Sequence, residues 1–423
     1  MNQAPARSRA LFVVKFLGGN GITTHIMTLA EGLIAKGWEV AVVSANEPDD
    51  EPNGPRWFAS RGISHFHASL PDTELSFQNA QSAFSAFADL HRVMRQFRPQ
   101  VVHVHGLGVS PYAYVAARLH GAALVSTCHI TPRRNAEKLA KRFAPVMRLA
   151  SPLFGDRVIA ISSEMQTVLR DLWRIPERRI RLILNGIDST HFREPSAEER
   201  RTAREAFGLG EEDKAVCLIG RLYPTKGHDT LVKAVAQLRS EGLPVVALCA
   251  GRGPLKKKVA QLAASLGIAD HVRLLGFVDA RQVLWASDVF ALPSHREGCP
   301  LVIAEAMVSG VVPVRTPAAG AFDQITDGVD GFITPFGDHE ALAERLRELL
   351  QDDALYSKMS AAALQTAKDR FTARRMLADT EAAYFDAIRE REVSLPSLTP
   401  EAPYAGDALP NPKNVQQRSR LIP

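Results

Sequence analysis

Apolar positions recur along this chain in two registers. Residues 10–16 (ALFVVKF) and 38–44 (WEVAVVS) are short, nearly unbroken apolar runs bounded by turns, the pattern of buried strands. Between them Ile26, Leu29, Ala30, Leu33 and Ile34 return at the spacing of one helix face. The first run ends in the glycine turn GGNG at 18–21, so strand, turn, helix and strand follow in order. The same order returns later. A run at 215–219 leads into GRLYPTKG (220–227), then a helix over 229–239 with Leu231, Ala234, Val235 and Leu238 inward, then a run at 244–250. Further strands are predicted at 100–105, 122–128, 157–161 and 181–184, the last entering the turn NGID at 185–188. In the second half they are predicted at 272–276, 289–293, 311–315 and 331–334.

Short apolar strands alternating with amphipathic stretches require a parallel sheet covered on both faces. The two openings predict an α/β fold of two Rossmann-like, doubly wound parallel-sheet domains. The expected division is a flexible start at 1–9, a first domain at 10–190 and a second at 191–372. The charged stretch 195–212 reads as linker and entry to the second domain. Residues 338–390 carry helical spacing, with a last helix at 373–390. The tail 391–423 holds Pro396, Pro400, Pro403, Pro410, Pro412 and Pro423 with few large apolar residues, and is expected not to pack.

At 423 residues the chain exceeds one ordinary core, which agrees with two domains. With 46% hydrophobic and 23% charged residues it has the make-up of a soluble globular protein. A net charge of +5 suits an anionic substrate or membrane surface and is too weak to argue for nucleic acid. Cys128, Cys217, Cys249 and Cys299 lack any paired spacing and read as thiols of a reducing compartment. No apolar run reaches the roughly 18 residues of a spanning helix. The run at 11–17 is broken by Lys15 and enters Gly18 and Gly19, so it reads as a buried strand and not a signal peptide. A cytoplasmic location is expected.

The chemistry concentrates in SHREGCPLVIAEAMVSG, 294–310. Glu297 lies on a turn; Gly298, Cys299 and Pro300 open a short helix predicted at 301–309 and closed by Gly310, and Glu305 falls in its second turn. The free N–H groups and positive dipole end at such a helix start seat a phosphate. Carboxylates beside an anion seat are better used to accept hydrogen bonds from hydroxyls, such as those of a ribose and a hexose. Arg221 and Lys226 belong to the loop after the second domain's first strand, on the same sheet edge. Two cations and two carboxylates there fit a sugar diphosphate.

GRLYPTKG, AGRGP at 250–254, the glutamates 297 and 305, and TDGVDGFI at 326–333 together resemble the retaining glycosyltransferases of the GT-B fold, family 4. GGNGITTH at 18–25, TCH at 127–129 and NGID look like further landmarks, and the resemblance spans about residues 11–390. It implies two domains facing across a cleft, the first on the acceptor side and the second binding the donor, with the last helix crossing back to the first. It implies that Arg221 and Lys226 bind the donor diphosphate, that Glu305 holds the ribose and that Glu297, with Gly298, Cys299 and Leu301, meets the donor sugar. Gly251, Phe277 and Val278 would line the donor site, Gly18 and Gly19 would approach the phosphates, and His129 would lie by the reacting sugar. Glu297, Arg221, Lys226 and His129 are then the catalytic set. Arg252 stands where members commonly carry an acidic residue, which leaves the donor's base and sugar open.

The implied activity is retaining transfer of a hexose-type sugar from a UDP- or GDP-sugar to a glycan, lipid-linked or small-molecule acceptor, in cell-surface polysaccharide or glycolipid synthesis. No Asp-x-Asp dyad occurs, so neither metal nor cofactor is expected. His103 and His105 lie inside an apolar run and read as core histidines. A basic amphipathic stretch, with Arg133, Arg134, Lys138, Lys141, Arg142 and Arg148, is read either as a solvated helix face or as a peripheral contact with the cytoplasmic leaflet. The alternatives to transfer are another enzyme on this scaffold, a nucleotide-sugar epimerase or glycosyl phosphorylase, or a non-catalytic sugar-nucleotide binder.

Overall fold

Alternation decides how each strand is covered. The first strand, β1 (Arg9–Val14), sends Ala10, Phe12 and Val14 into one apolar cluster and Leu11 and Val13 into another, on opposite sheet faces. In the second sheet β8 (Lys214–Ile219) does the same, with Val216 and Leu218 on one side and Ala215 and Cys217 on the other. The structure is a computed structural model describing residues 8–45, 53–70, 80–129 and 144–394.

The first lobe runs β1, α1 (Gly21–Ala35), β2 (Glu39–Ser44), α2 (Pro55–Ala59), β3 (Ser64–His67), α3 (Ala80–Phe97), β4 (Val101–His105), α4 (Ser110–Leu119), β5 (Ala123–Cys128), α5 (Ala144–Ala150), β6 (Arg157–Ala160), α6 (Ser163–Thr167) and β7 (Ile180–Leu182). The second runs α7 (Ala197–Ala206), β8, α8 (His228–Ser240), β9 (Val245–Ala250), α9 (Lys256–Ser265), β10 (Val272–Gly276), α10 (Ala280–Ala286), β11 (Val289–Leu292), α11 (Leu301–Val308), β12 (Val312–Arg315), α12 (Ala321–Gln324), β13 (Phe332–Ile333), α13 (His339–Gln351) and α14 (Asp353–Arg370). A last helix, α15 (Ala373–Ser394), packs back on α1, β5 and β6.

Both sheets are parallel, ordered β3-β2-β1-β4-β5-β6-β7 and β10-β9-β8-β11-β12-β13. In each, the strand order reverses beside the first strand, between β1 and β4 and between β8 and β11. Ligands of doubly wound sheets bind at that switch point, outside the strands' carboxyl ends. Two crossings join the lobes side by side: the Ile187 amide donates to Phe371 O at 2.8 Å and the Ala373 amide to Ile187 O at 2.9 Å.

Four expectations need correction. Residues 197–206, part of the stretch read as linker, form α7, because Ser196 and Glu199 make a reciprocal capping box and Ala203 packs into the second lobe. Strand β1 begins at Arg9, which pairs with Glu39, so that residue does not belong to a flexible start. Helix α15 continues to Ser394, past the tail boundary at 391, since no breaker intervenes before Pro396. Ile34 lies at the margin of α1's buried face and is 39% exposed. The rest of the tail from 395, the start 1–7 and the basic residues up to Arg142 lie outside the described residues.

Candidate active site

In the second lobe the sheet edge is assembled by close backbone contact. Gly227 takes φ 70° before α8, and a Cβ there would lie 2.0 Å from Pro293 O, so only glycine lets this loop press on the exit of β11. The contact carries Lys226 to Glu297: Nζ donates to Oε1 at 2.6 Å, with the carboxylate 9% exposed. Arg221, on the same loop, is exposed and stacks 4.8 Å over the Tyr223 ring, and no salt bridge among the described residues takes its charge. The loop at 250–254 folds under it, with the Gly251 amide donating to Gly276 O at 2.6 Å and the Leu222 amide to Arg252 O at 2.9 Å.

Helix α11 starts at Leu301 with Pro300 as its N-cap; the Ile303 amide donates to Pro300 O at 3.3 Å, and the amides of Leu301 and Val302 have no intrahelical acceptor. Glu305 sits in the second turn, 8% exposed, and burial pushes its carboxyl up to about 7, with the charge of Asp279 adding to the shift. Asp279 follows Phe277 and Val278 after β10, so Glu305 lies near the segment expected to line the donor site. Behind the Glu297 turn lies Arg315, 1% exposed. Its guanidinium donates to Gln324 Oε1 and to the carbonyls of Ala318 and Ala319, and Gln324 Nε2 donates to Pro300 O at 2.9 Å. This buried cation gives no sequence signal beyond a charge at the end of an apolar strand.

In the first lobe Asn20 caps α1, accepting from the amides of Ile22 and Thr23, and the Gly18 amide donates to Thr23 Oγ1 at 3.0 Å. His129 follows β5, 8% exposed, and its Nε2 shares a 2.9 Å hydrogen bond with Nδ1 of His105 at the end of β4. His25, from α1, lies with its ring 5.1 Å from that of His129 and 5.4 Å from that of His105. Burial holds all three well below the usual imidazole range, so they are neutral at pH 7. His103 is a satisfied core histidine, bonded to Tyr384 Oη at 2.6 Å and Thr127 Oγ1 at 2.7 Å. His105 departs from the core reading: strand alternation puts it on the His103 face, at the end where that face opens towards His129.

The lobes touch at these same residues. A Cβ on Gly298 would lie 2.0 Å from His129 O, and one on Gly19 would lie 2.7 Å from the Phe277 ring. Asn185 Nδ2 donates to Cys299 O at 2.7 Å, which ties the crossing strand to the Glu297 turn. Ser163 donates from its amide (2.7 Å) and hydroxyl (2.8 Å) to the Asp323 carboxylate, and the Gly320 amide donates to Glu164 Oε2 at 3.0 Å. Thus Lys226, Glu297, Gly298, Cys299 and His129 converge, Gly19 meets Phe277, and Arg221 points away over its own loop. Ser163, Glu164, His105 and Arg315 join the site without having been singled out for it, while His25 and Asn185 enter it from the landmark segments GGNGITTH and NGID.

Two Rossmann-type lobes joined by a double crossing, with a helix returned from the second to the first, define the GT-B architecture. The family profile described as Glycosyltransferase Family 4 matches residues 19–191, and that described as Glycosyl transferases group 1 matches 199–366. The chain is 28% identical to the D-inositol 3-phosphate glycosyltransferase of Stackebrandtia nassauensis over 88% of each chain. It is 27% identical to the putative glycosyltransferase EpsD of Bacillus subtilis over 78% of this chain and 92% of that one. Among solved structures it resembles a glycosyltransferase from Rickettsia africae (TM-score 0.76, 19% identity, 91% and 99% covered). It also resembles Anabaena HepE in complex with UDP and glucose (0.76, 20%, 89% and 99%). The chain belongs to the GT-B glycosyltransferases of family 4 and is an enzyme of glycosyl transfer.

Proposed function

We propose that this enzyme moves a sugar from a nucleoside-diphosphate sugar to a hydroxyl acceptor with retention at the anomeric carbon. The observation that carries the reading is the Lys226–Glu297 pair at the start of α11, set directly across the lobe contact from His129. When the donor enters, Lys226 exchanges its carboxylate partner for a phosphate oxygen, and Arg221 swings from Tyr223 to the diphosphate. The N–H groups opening α11 supply the rest of the positive field. As the anomeric C–O bond breaks, its electron pair passes to the departing phosphate, where these fixed cations stabilise it. The acceptor oxygen bonds to the same face and its proton passes to that phosphate oxygen, so no protein nucleophile and no divalent ion enter the scheme. Glu297 is then free to accept from donor-sugar hydroxyls, and Glu305 accepts from the ribose. His129 orients the reacting sugar.

The relatives support a nucleotide donor: HepE is described with UDP-glucose, and Staphylococcus aureus TarM with UDP and alpha-GlcNAc-glycerol. A panel of UDP- and GDP-sugars screened by thermal shift identifies the donor, since the matching one stabilises the fold by mass action. With it, nucleotide release must require an acceptor and must be lost in Glu297→Gln. Release without acceptor, or an unaffected variant, overturns the reading and favours an epimerase, a phosphorylase or a binding protein. An acceptor in a cell-surface glycan or lipid-linked precursor follows from the same reading. No described helix is long and apolar enough to cross a membrane. Val146 and Leu149 on α5 are 57% and 84% exposed beside the basic stretch, which favours peripheral contact with an anionic leaflet. Salt-sensitive pelleting with anionic liposomes checks it.

A further inference from the structure

We infer that His25, His105 and His129 form a binding site for a late first-row divalent cation, Zn²⁺ being the best match, and that its occupation switches the enzyme off. The ligand atoms of the three side chains lie within 4.8 Å of one another. Their ring centres form a nearly equilateral triangle of 5.1, 5.2 and 5.4 Å. A tetrahedral zinc about 2.0 Å from each imidazole nitrogen sets ring centres about 5 Å apart, so the rings need to rotate but not to travel. Nε2 of His105 is buried without a hydrogen-bond partner, and His25, with the Asn185 side chain beside it, has neither ring nitrogen in a well-formed hydrogen bond; a coordinated ion removes that cost. No carboxylate belongs to the cluster, and an all-imidazole set selects zinc, copper or nickel over magnesium or calcium. The rings are neutral at pH 7, so their lone pairs are available without first losing a proton.

Each neutral ring has one lone pair. The metal therefore replaces the His105–His129 hydrogen bond and leaves a fourth position towards the cleft for water. All three ligands come from the first lobe, from α1 and the ends of β4 and β5, so the ion can enter when the lobes part. The second lobe's Gly298 then closes against a His129 whose lone pair is already committed. Inhibition rests on the functional reading above; the binding does not.

The test titrates Zn²⁺ alone into the full chain against a chromophoric chelator. One equivalent is expected with a Kd of about 1 µM or tighter. His25→Phe and His105→Phe should each weaken it at least about tenfold, as loss of one of three ligands requires. Co²⁺ bound to the unmutated protein should give the intense visible bands of a tetrahedral site. No stoichiometric zinc, weak octahedral cobalt bands, or an equivalent that persists in both variants overturns the site. The cobalt spectrum keeps the test decisive where a variant misfolds. One equivalent of Zn²⁺ should also abolish turnover and EDTA restore it. If metal binds but turnover is unaffected, the switch fails and the site stands; if no donor is ever turned over, the chelator and cobalt results still decide the site.

Discussion

Glu305 is a buried carboxyl that water loss pushes up to about 7, and that makes donor binding depend on pH. Its folded value lies above its unfolded one, so the ionised form costs stability, a cost absent well below the unfolded value and complete once pH passes about 7. Ribose hydroxyls that donate to the carboxylate favour its ionised form, so binding releases a proton. The Kd for the free nucleoside diphosphate should therefore tighten as pH rises from about 5.5 to 8 and level off beyond about 7. Glu305→Gln should flatten that profile; a parallel slope in the variant would assign the effect to the ligand's own phosphate. Lys226→Ala tests the neighbouring pair. It leaves Glu297 nine-tenths buried without its bonded cation, with Arg315 acting only through its more distant charge, which should cost about 1–3 kcal/mol in urea unfolding and weaken nucleotide binding at least about tenfold. Glu297, Lys226 and Glu305 were legible in sequence because glycine and proline fix a helix start beside them. His25 was marked only by its place in GGNGITTH, and His105 was not legible, because a histidine in an apolar run carries no mark of the strand that will lie beside it. Arg315 was hidden for the same reason: its partners Ala318 and Gln324 come from the loop before α12 and from α12 itself, which only the fold brings over it.

Among the elements, the strands with continuous apolar runs were readable, since both faces are covered and period-two burial needs no polar partner. Strand β3, with the sequence SHFH, was not: it lies at the sheet edge with every residue at least partly exposed, so no hydrophobic signal marks it. Helix α7 was hidden by its charges, which its capping box and its ion pairs, Glu199 with Arg193 and Arg200 with Asp288, turn into structure. The returning helix α15 was recognised by resemblance, but its anchors were not visible. Tyr384 donates to or accepts from His103 Nδ1 at 2.6 Å in the first lobe's core, while its ring packs edge-on against Trp38 at 5.8 Å. Tyr384→Phe keeps the ring contact and strands a buried imidazole nitrogen. It should lower stability by about 1–2 kcal/mol in urea unfolding, with the Kd for nucleotide unchanged. A loss of nucleotide affinity in this variant would mean that α15 shapes the donor site directly.

At the scale of the whole molecule, two Rossmann sheets were evident from the repeated strand, glycine loop and helix, but how they face one another was not. That is set by contacts between residues far apart in sequence, of which Ser163 to Asp323 and Glu164 to Gly320 are the most polar. They lie at the ends of α6 and α12, beside the Gly298 contact: a Cβ on Gly320 would lie 2.5 Å from Gly298 O. The crossing is expected to act as the hinge of any lobe opening, and these bonds, which span the two lobes, as its latch. Asp323→Ala removes two charge-assisted bonds, one from the Ser163 amide and one from its hydroxyl. At about 1–2 kcal/mol of closure, this lowers the closed fraction of the ligand-free protein by roughly five- to thirtyfold if the open form then dominates. A donor that binds only the closed form pays for that fraction, so its apparent Kd should rise by the same factor while melting of each lobe hardly changes. Ser163→Ala, on the opposite lobe, removes the hydroxyl bond but keeps the amide, so it should move Kd in the same direction by less. Small-angle scattering should show a larger radius for Asp323→Ala without donor and the original radius at saturation. If Asp323→Ala instead tightens nucleotide binding, the carboxylate acts on the phosphates by its charge and the lobes are held closed by packing alone.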